Sequence, residues 1–198
     1  MQQRSPADQQ GTDGQTPADY DWIKNMSKRT KNNESELPKI PKDKYYTWDK
    51  RPGVALREFI PLNTCYYEPC AGSGDLIETL RPLNCVGYSD DEIDARTHHY
   101  DTQAEYFITN PPWTRSLLHP IIDNLRVQLP TWLLFDADWM HTEQSAPYMK
   151  YCKTIISVGR LKWIPNTTMD GYDNTVWYLF VKDETTTTFH GRANARRL

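Results

Sequence analysis

The sequence predicts an α/β protein built on a mostly parallel sheet whose last strand runs the other way. Three observations carry that expectation. From residue 45 onward, short apolar runs alternate with turn residues and helical patterns, as strands covered by helices do. A loop containing two glycines, within residues 68–76, falls between one such run and one such helix. The final two runs, 154–158 and 175–181, flank a stretch rich in Gly, Asn and Asp, which makes them a hairpin and reverses the second.

The elements follow in order. Val54, Ala55, Leu56, Phe59 and Ile60 have helical spacing, and 65–67 is a short strand ending at Glu68-Pro69. Leu76, Ile77 and Leu80 form one face of a helix that stops near Pro82, and 84–88 is the next strand. Strand 106–109, helix 117–129 and strand 132–135 precede the hairpin. There is no internal repeat.

The 198 residues suffice for one α/β core and are too few for two. Residues 1–38 are poor in apolar side chains and read as a disordered or loosely docked arm, basic in its second half. That arm either tracks a phosphate backbone or is simply solvated. A catalytic domain over 39–184 and a flexible tail over 185–198 complete the expected organisation. A net charge of -3 argues against binding nucleic acid by bulk electrostatics alone, without excluding a local basic face. The four cysteines lack ligand spacing and point to a reduced, cytoplasmic protein. No apolar run approaches the roughly 20 residues of a membrane helix. The adjacent His98 and His99 do not suggest a metal site, and none is expected.

Two segments carry chemistry. In Glu68-Pro69-Cys70-Ala71-Gly72-Ser73-Gly74, the glycines let a ligand approach the backbone closely, although two glycines also serve a plain turn. A nucleoside ligand needs an acid near the end of the following strand to accept from the ribose hydroxyls. Asp90 is the first candidate, with a helix N-cap as its structural alternative. Asp101 is a candidate acceptor for the adenine amino group, or else a solvated turn aspartate.

The second segment is Asn110-Pro111-Pro112-Trp113, at the C-terminal end of a strand, the edge at which open α/β sheets bind ligands. Two prolines fix the backbone and leave carbonyl oxygens as acceptors. The Asn110 side-chain oxygen and the Pro111 carbonyl can together hold both hydrogens of an amino group. Trp113 offers a flat face on which a base stacks.

This pair of motifs resembles the amino-methyltransferase branch of the class I S-adenosylmethionine-dependent methyltransferases. Its marks are a Glu-Pro-x-x-Gly-x-Gly cofactor loop followed by an Asn-Pro-Pro-aromatic turn. Tyr45-Tyr46-Thr47-Trp48 resembles the segment that contacts the methionine part of the cofactor in that family. Gly159-Arg160-Leu161-Lys162-Trp163 resembles a segment of small phage-type DNA adenine methyltransferases. The resemblance spans residues 45–181 and implies a Rossmann-like sheet of about seven strands with a reversed last strand. It implies S-adenosyl-L-methionine as donor, S-adenosyl-L-homocysteine as product, and N6 of adenine in DNA as acceptor. Tyr45, Thr47, Glu68, Pro69, Cys70, Ala71, Gly72, Gly74, Asp90, Asp101 and Asn110 are then the cofactor residues, and Asn110, Pro111, Pro112 and Trp113 the catalytic turn. Trp113 in place of the commoner Tyr or Phe, and Ser89 beside Asp90, depart from the family pattern.

Only 35 residues separate Gly74 from Asn110, so a separate recognition domain does not fit there. Recognition then falls to loops, arms, a partner subunit or a second copy. Asp138 and Trp139 follow a strand and are candidates for the base pocket, against packing and a solvated charge. Arg160 and Lys162, with Arg192, Arg196 and Arg197 of the tail, are candidate phosphate contacts, against exposed solubilising charges as the favoured reading of the tail. Two other functions remain open: methylation of RNA or of a protein glutamine, and a non-catalytic subunit that keeps the fold to hold nucleic acid or a partner.

Overall fold

A computed structural model describes residues 46–192. The expected arm, Tyr45, Arg196 and Arg197 lie outside the described residues. Helix α1 (Arg51–Arg57) precedes β1 (Cys65–Glu68), α2 (Asp75–Leu80), β2 (Asn84–Tyr88) and β3 (Tyr106–Thr109). Then come α3 (Arg115–Arg126), β4 (Thr131–Asp136), two 3-10 turns, α4 (Ala146–Met149), β5 (Cys152–Arg160), β6 (Asn174–Phe180) and β7 (Thr188–His190).

All seven strands form one sheet in the order β2-β1-β3-β4-β6-β5-β7. The pairs β1/β2, β1/β3 and β3/β4 are parallel, β6 is antiparallel to both β4 and β5, and β7 is parallel to β5. Every strand but β6 therefore points the same way, and the expected mostly parallel sheet is the one found. The reversed strand is the one anticipated at 175–181. A further strand follows it, within the segment expected as a flexible tail. Thr185 N donates to Lys150 O at 2.8 Å and Thr187 Oγ1 to Cys152 O at 2.6 Å, which sets Thr188–His190 against the open edge of β5.

Near-continuous apolar runs in the central strands are what a sheet covered on both faces requires. Successive residues serve opposite layers. Phe107, Leu133, Phe135, Tyr178 and Phe180 face a core under α3, whereas Ile108, Trp132, Leu134, Trp177 and Leu179 face one under α1 and α2. Helix α3 buries Leu118, Ile121, Ile122 and Leu125 at i, i+3, i+4 and i+7 spacing. Each contributes roughly 1.5–3 kcal/mol by burial. Helices α1 and α2 approach so closely at Gly53 that a β-carbon there would lie 2.0 Å from the Thr79 carbonyl oxygen.

Between β2 and β3, residues 89–105 contain no helix or strand, yet they are fixed from α3. The Asn124 amide donates to the carbonyls of Ala95 (3.0 Å) and His98 (2.8 Å), and Gln128 accepts from Tyr100 N at 2.9 Å. No helix among the described residues is long and apolar enough to cross a membrane.

Candidate active site

Strands β1 and β3 pair directly, with Tyr66 opposite Tyr106 and Tyr67 opposite Phe107. Their following loops therefore leave the same edge side by side, about 4.8 Å apart at the strand ends. This brings the glycine loop and the Asn110–Trp113 turn together.

The glycine loop is held from below by Ser89, whose N–H donates to Glu68 O (2.9 Å) and whose carbonyl accepts from Ala71 N (2.8 Å). Gly72 and Gly74 have φ of 52° and 79°, the left-handed region that side chains avoid. A β-carbon on Gly72 would lie 2.5 Å from the Tyr46 ring, whereas one on Gly74 would meet nothing within 4 Å. Gly72 thus makes room for Tyr46, and Gly74 faces open space. Cys70 lies beside Thr109 at the root of the second loop, and burial pushes its thiol up to about 12.

Glu68 is 1% exposed, and its Oε2 is buried without a hydrogen-bond partner. Burial, with a smaller contribution from Asp75, raises its carboxyl to about 8, so the group is protonated at neutral pH. A buried polar atom left unsatisfied at the end of a strand, next to a glycine loop, is the kind of group a ligand completes.

Asn110 is oriented from both sides. Its Nδ2 donates to Thr47 Oγ1 at 2.9 Å and its Oδ1 accepts from Trp113 Nε1 at 3.0 Å. The second bond fixes the amide so that its oxygen lies on the indole side, and an amide oxygen has two acceptor lone pairs. Trp113 stands edge-on to Trp163, with ring centroids 5.4 Å apart at 85°. Pro111 is buried and Pro112 half-buried, as a rigid support requires. Tyr46 on the glycine loop and Thr47 on Asn110 are consecutive, so this short segment spans both motifs.

Sequence reasoning missed Asp49, the group that holds the site's roof. Its Oδ1 accepts from Arg51 N (3.0 Å) and its Oδ2 from Lys162 N (3.0 Å), while the Arg51 guanidinium bonds both oxygens and reaches Asp170 at 2.8 Å. Burial disfavours the ionised form. The bonds from the Arg51 side chain and from the Lys162 and Arg51 backbones outweigh it and hold the carboxyl below its ordinary range. The segment after β5 is thereby tied beside the Asn110–Trp113 turn. Gly171 completes the fit, since a β-carbon there would lie 2.7 Å from Trp163 Cδ1. Asp49 lies three residues before Pro52, a helix-start signal that marks it only as a cap.

The remaining expected residues divide. Asp90 is exposed just beyond the buried Ser89, and its Oδ1 accepts from Glu92 N at 3.1 Å in a turn. Arg160 ends β5, exposed, and Lys162 is half-buried beside Asp49. Asp138 is exposed on the 3-10 turn Ala137–His141.

One expectation is corrected. Trp139 does not shape a base pocket. The Asp136 carboxylate accepts from Asp138 N at 2.9 Å, the turn curls inward, and the indole is 0% exposed with its N–H donating to His119 Nε2 at 3.1 Å. Asp101 is exposed in the loop between β2 and β3. Its neighbour Tyr100 donates its N–H to Gln128 at 2.9 Å and packs its ring against Tyr67 of β1, with centroids 5.1 Å apart.

A groove of about 730 Å³ runs along the outer face of α3, lined by Arg96, Arg115, His119, Asp123, Asn124 and Tyr148. Its lining includes none of the residues of the two motifs.

No family model matches the chain, and no curated protein matches its sequence. Among solved structures the chain is similar to a type I restriction-modification methyltransferase subunit of Streptococcus thermophilus, at 10% identity and a TM-score of 0.46 over 77% of this chain and 48% of that one. It is also similar to a dimethyladenosine transferase of Plasmodium falciparum, at 14% identity and a TM-score of 0.45 over 66% and 59%. A Listeria monocytogenes protein assigned to the class I S-adenosylmethionine-dependent methyltransferases gives 10% identity and a TM-score of 0.44 over 72% and 63%. The chain spans less than two thirds of the length of each.

Proposed function

We propose that the protein transfers a methyl group from S-adenosyl-L-methionine to an exocyclic amino nitrogen, with N6 of adenine in DNA as the acceptor. The observation that carries this reading is an amide fixed from both sides, Asn110 between Thr47 and Trp113, directly beside a glycine loop on the neighbouring parallel strand.

The residues present fit the cofactor. Glu68 Oε2 is a buried acceptor without a partner, suited to the ammonium of the cofactor's amino-acid part, and an adjacent cation returns its carboxyl to the ionised form. Gly74 leaves the loop open in front, and Asp90, just past the end of β2, is the acceptor for the ribose hydroxyls. Tyr45, Thr47, Pro69, Cys70, Ala71, Gly72 and Asp101 complete the proposed contacts. When bound, the cofactor supplies an electrophilic methyl on sulfur.

Asn110 Oδ1 and the Pro111 carbonyl accept the two hydrogens of the target amino group. Holding both draws the nitrogen lone pair out of conjugation and aims it at the methyl. The lone pair forms the new N–C bond, the electrons of the S–C bond stay on sulfur, and one amino proton passes to solvent. Pro112 keeps the turn rigid, while Trp113 orients Asn110 and presents its ring to the target base. Arg160 and Lys162 lie on the proposed nucleic-acid side, and Asp138 is a lesser candidate there. Target recognition by a partner subunit or a second copy, and a cytoplasmic setting that keeps the free cysteines reduced, belong to the same reading.

The test is transfer of labelled methyl from cofactor into DNA, RNA and protein fractions, followed by nucleoside analysis of a digest. Label recovered as N6-methyladenine from DNA is expected. Label in RNA or glutamine moves the substrate, and none anywhere supports the non-catalytic alternative. Asn110→Ala is expected to lower the rate about a hundredfold or more, as loss of a preorganised polar contact does.

A further inference from the structure

Eight arginines fall among residues 46–192. Arg51, Arg81, Arg96, Arg115 and Arg126 each pair with a carboxylate, and Arg57 donates to the carbonyls of Thr79 and Arg81. The remaining two, Arg160 and Arg192, are exposed and engage no carboxylate or other polar partner among the described residues. Arg192 also reaches the end of β5. Gly159, with φ of 92°, leaves its face bare, and a β-carbon built there would lie 3.0 Å from Arg192 Nη1 and 3.3 Å from its Cζ. The Arg192 guanidinium therefore rests against the residue that precedes Arg160.

Two exposed guanidinium groups near the end of one strand, where five of the other six arginines pair with carboxylates, leave positive charge available to an anion on this side of the sheet. β7 produces the arrangement. Pairing of Ile156 with His190 in parallel register sends the chain on toward the C-terminal end of β5, and Gly191 and Arg192 follow that line to Gly159. On the α1 side His190 is anchored against Phe59, with ring centroids 4.7 Å apart. Lys162, two residues beyond Arg160, lies on the loop that crosses back to the catalytic turn through Trp163 and Trp113.

We infer that Arg160 and Arg192 form a phosphate clamp that holds the backbone of the substrate nucleic acid on the β5–β7 side of the active site. Guanidinium groups present paired donors that match phosphate oxygens. From β3 to β5 the sheet crosses three strand spacings, about 14 Å. At a rise of about 3.4 Å per nucleotide, the clamp meets a phosphate on the order of four nucleotides from the target base. This inference deepens the methyl-transfer reading and rests on it for the acceptor strand. It explains how a chain with net charge -3 holds a polyanion locally.

The experiment measures binding of a duplex oligonucleotide and of its single strand against salt, for the wild type, Arg160→Ala, Arg192→Ala and the double variant. Loss of each phosphate contact lowers the slope of log affinity on log salt by about 0.9 for duplex and about 0.7 for single strand. The double variant is expected to lose about twice that, with unchanged cofactor affinity and melting temperature. Methylphosphonate substitution about four nucleotides from the target base should weaken wild-type binding and leave the double variant unaffected. Slopes equal to wild type in the double variant overturn the clamp, whatever the activity. A reduced slope with no methyl transfer to any nucleic acid keeps the clamp and removes the catalytic reading. An acidic peptide that shows the same slope change overturns the assignment to nucleic acid.

Discussion

At the scale of single residues, the most informative group is Glu68. A carboxyl raised from 4.5 to about 8 keeps its proton in the folded state where the unfolded chain has already released it. The sign follows: stability falls as pH rises from about 4.5 to about 8, and levels off outside that window. Thermal melting of the cofactor-free protein is expected to show this decline. In Glu68→Gln it should be flat over the same range, because the amide cannot ionise. A decline of equal size in the variant assigns the effect to another group. Asn110 and the two glycines were legible in the sequence because their chemistry depends on residue type at a fixed spacing. Glu68's burial was not, since it arises when β2 and α2 close around the end of β1. Trp139 was misplaced for a related reason. A strand-end tryptophan can point outward or inward, and here the Asp136 cap turned it inward.

At the scale of elements, the segments flanking the sheet converge on one knot. Asp49 joins the chain before α1 to Arg51, and through Lys162 to the loop after β5. Asp49→Ala leaves the Lys162 N–H without its acceptor and the Arg51 guanidinium with Asp170 alone. Loss of such bonds is expected to destabilise by about 1–3 kcal/mol. For a chain of this size that is a fall in melting temperature of roughly 2–12 °C. Because the knot holds Trp163 over Trp113, the variant should also lose transfer rate at temperatures where it remains folded. Melting like the wild type with full activity would show that the roof is held by other contacts. β2 and β3 were legible to the residue, since their apolar runs end at clear turn signals. β7 escaped it: three residues have no pattern of their own and become a strand only because β5 leaves an edge to pair with.

At the scale of the whole molecule, two apolar layers clamp the sheet, and Trp139 joins the layer under α3. Truncation of a buried aromatic of this size costs about 3–5 kcal/mol, so Trp139→Ala should unfold at markedly lower denaturant. Asp138→Ala, one residue away on the exposed side, should lie within about 0.5 kcal/mol of wild type. Equilibrium denaturation of the pair separates the core assignment from a surface role, in which both would fold normally. The fold class was readable because burial on both faces writes long apolar runs into β4 and β6. The course of residues 89–105 was not, because it is set by side-chain bonds from Asn124 and Gln128 rather than by local propensity.

The position of β6 has a consequence for how the chain is made. β4 and β5 follow one another in the sequence, yet they are separated in the sheet by a strand that comes later. Until residues 174–180 emerge from the ribosome, Leu133, Phe135 and Ile155 border a slot one strand wide, with backbone donors and acceptors unmatched on both banks. Nascent chains halted before that point should attract chaperones. Those extended a few dozen residues further should shed them as the slot is filled.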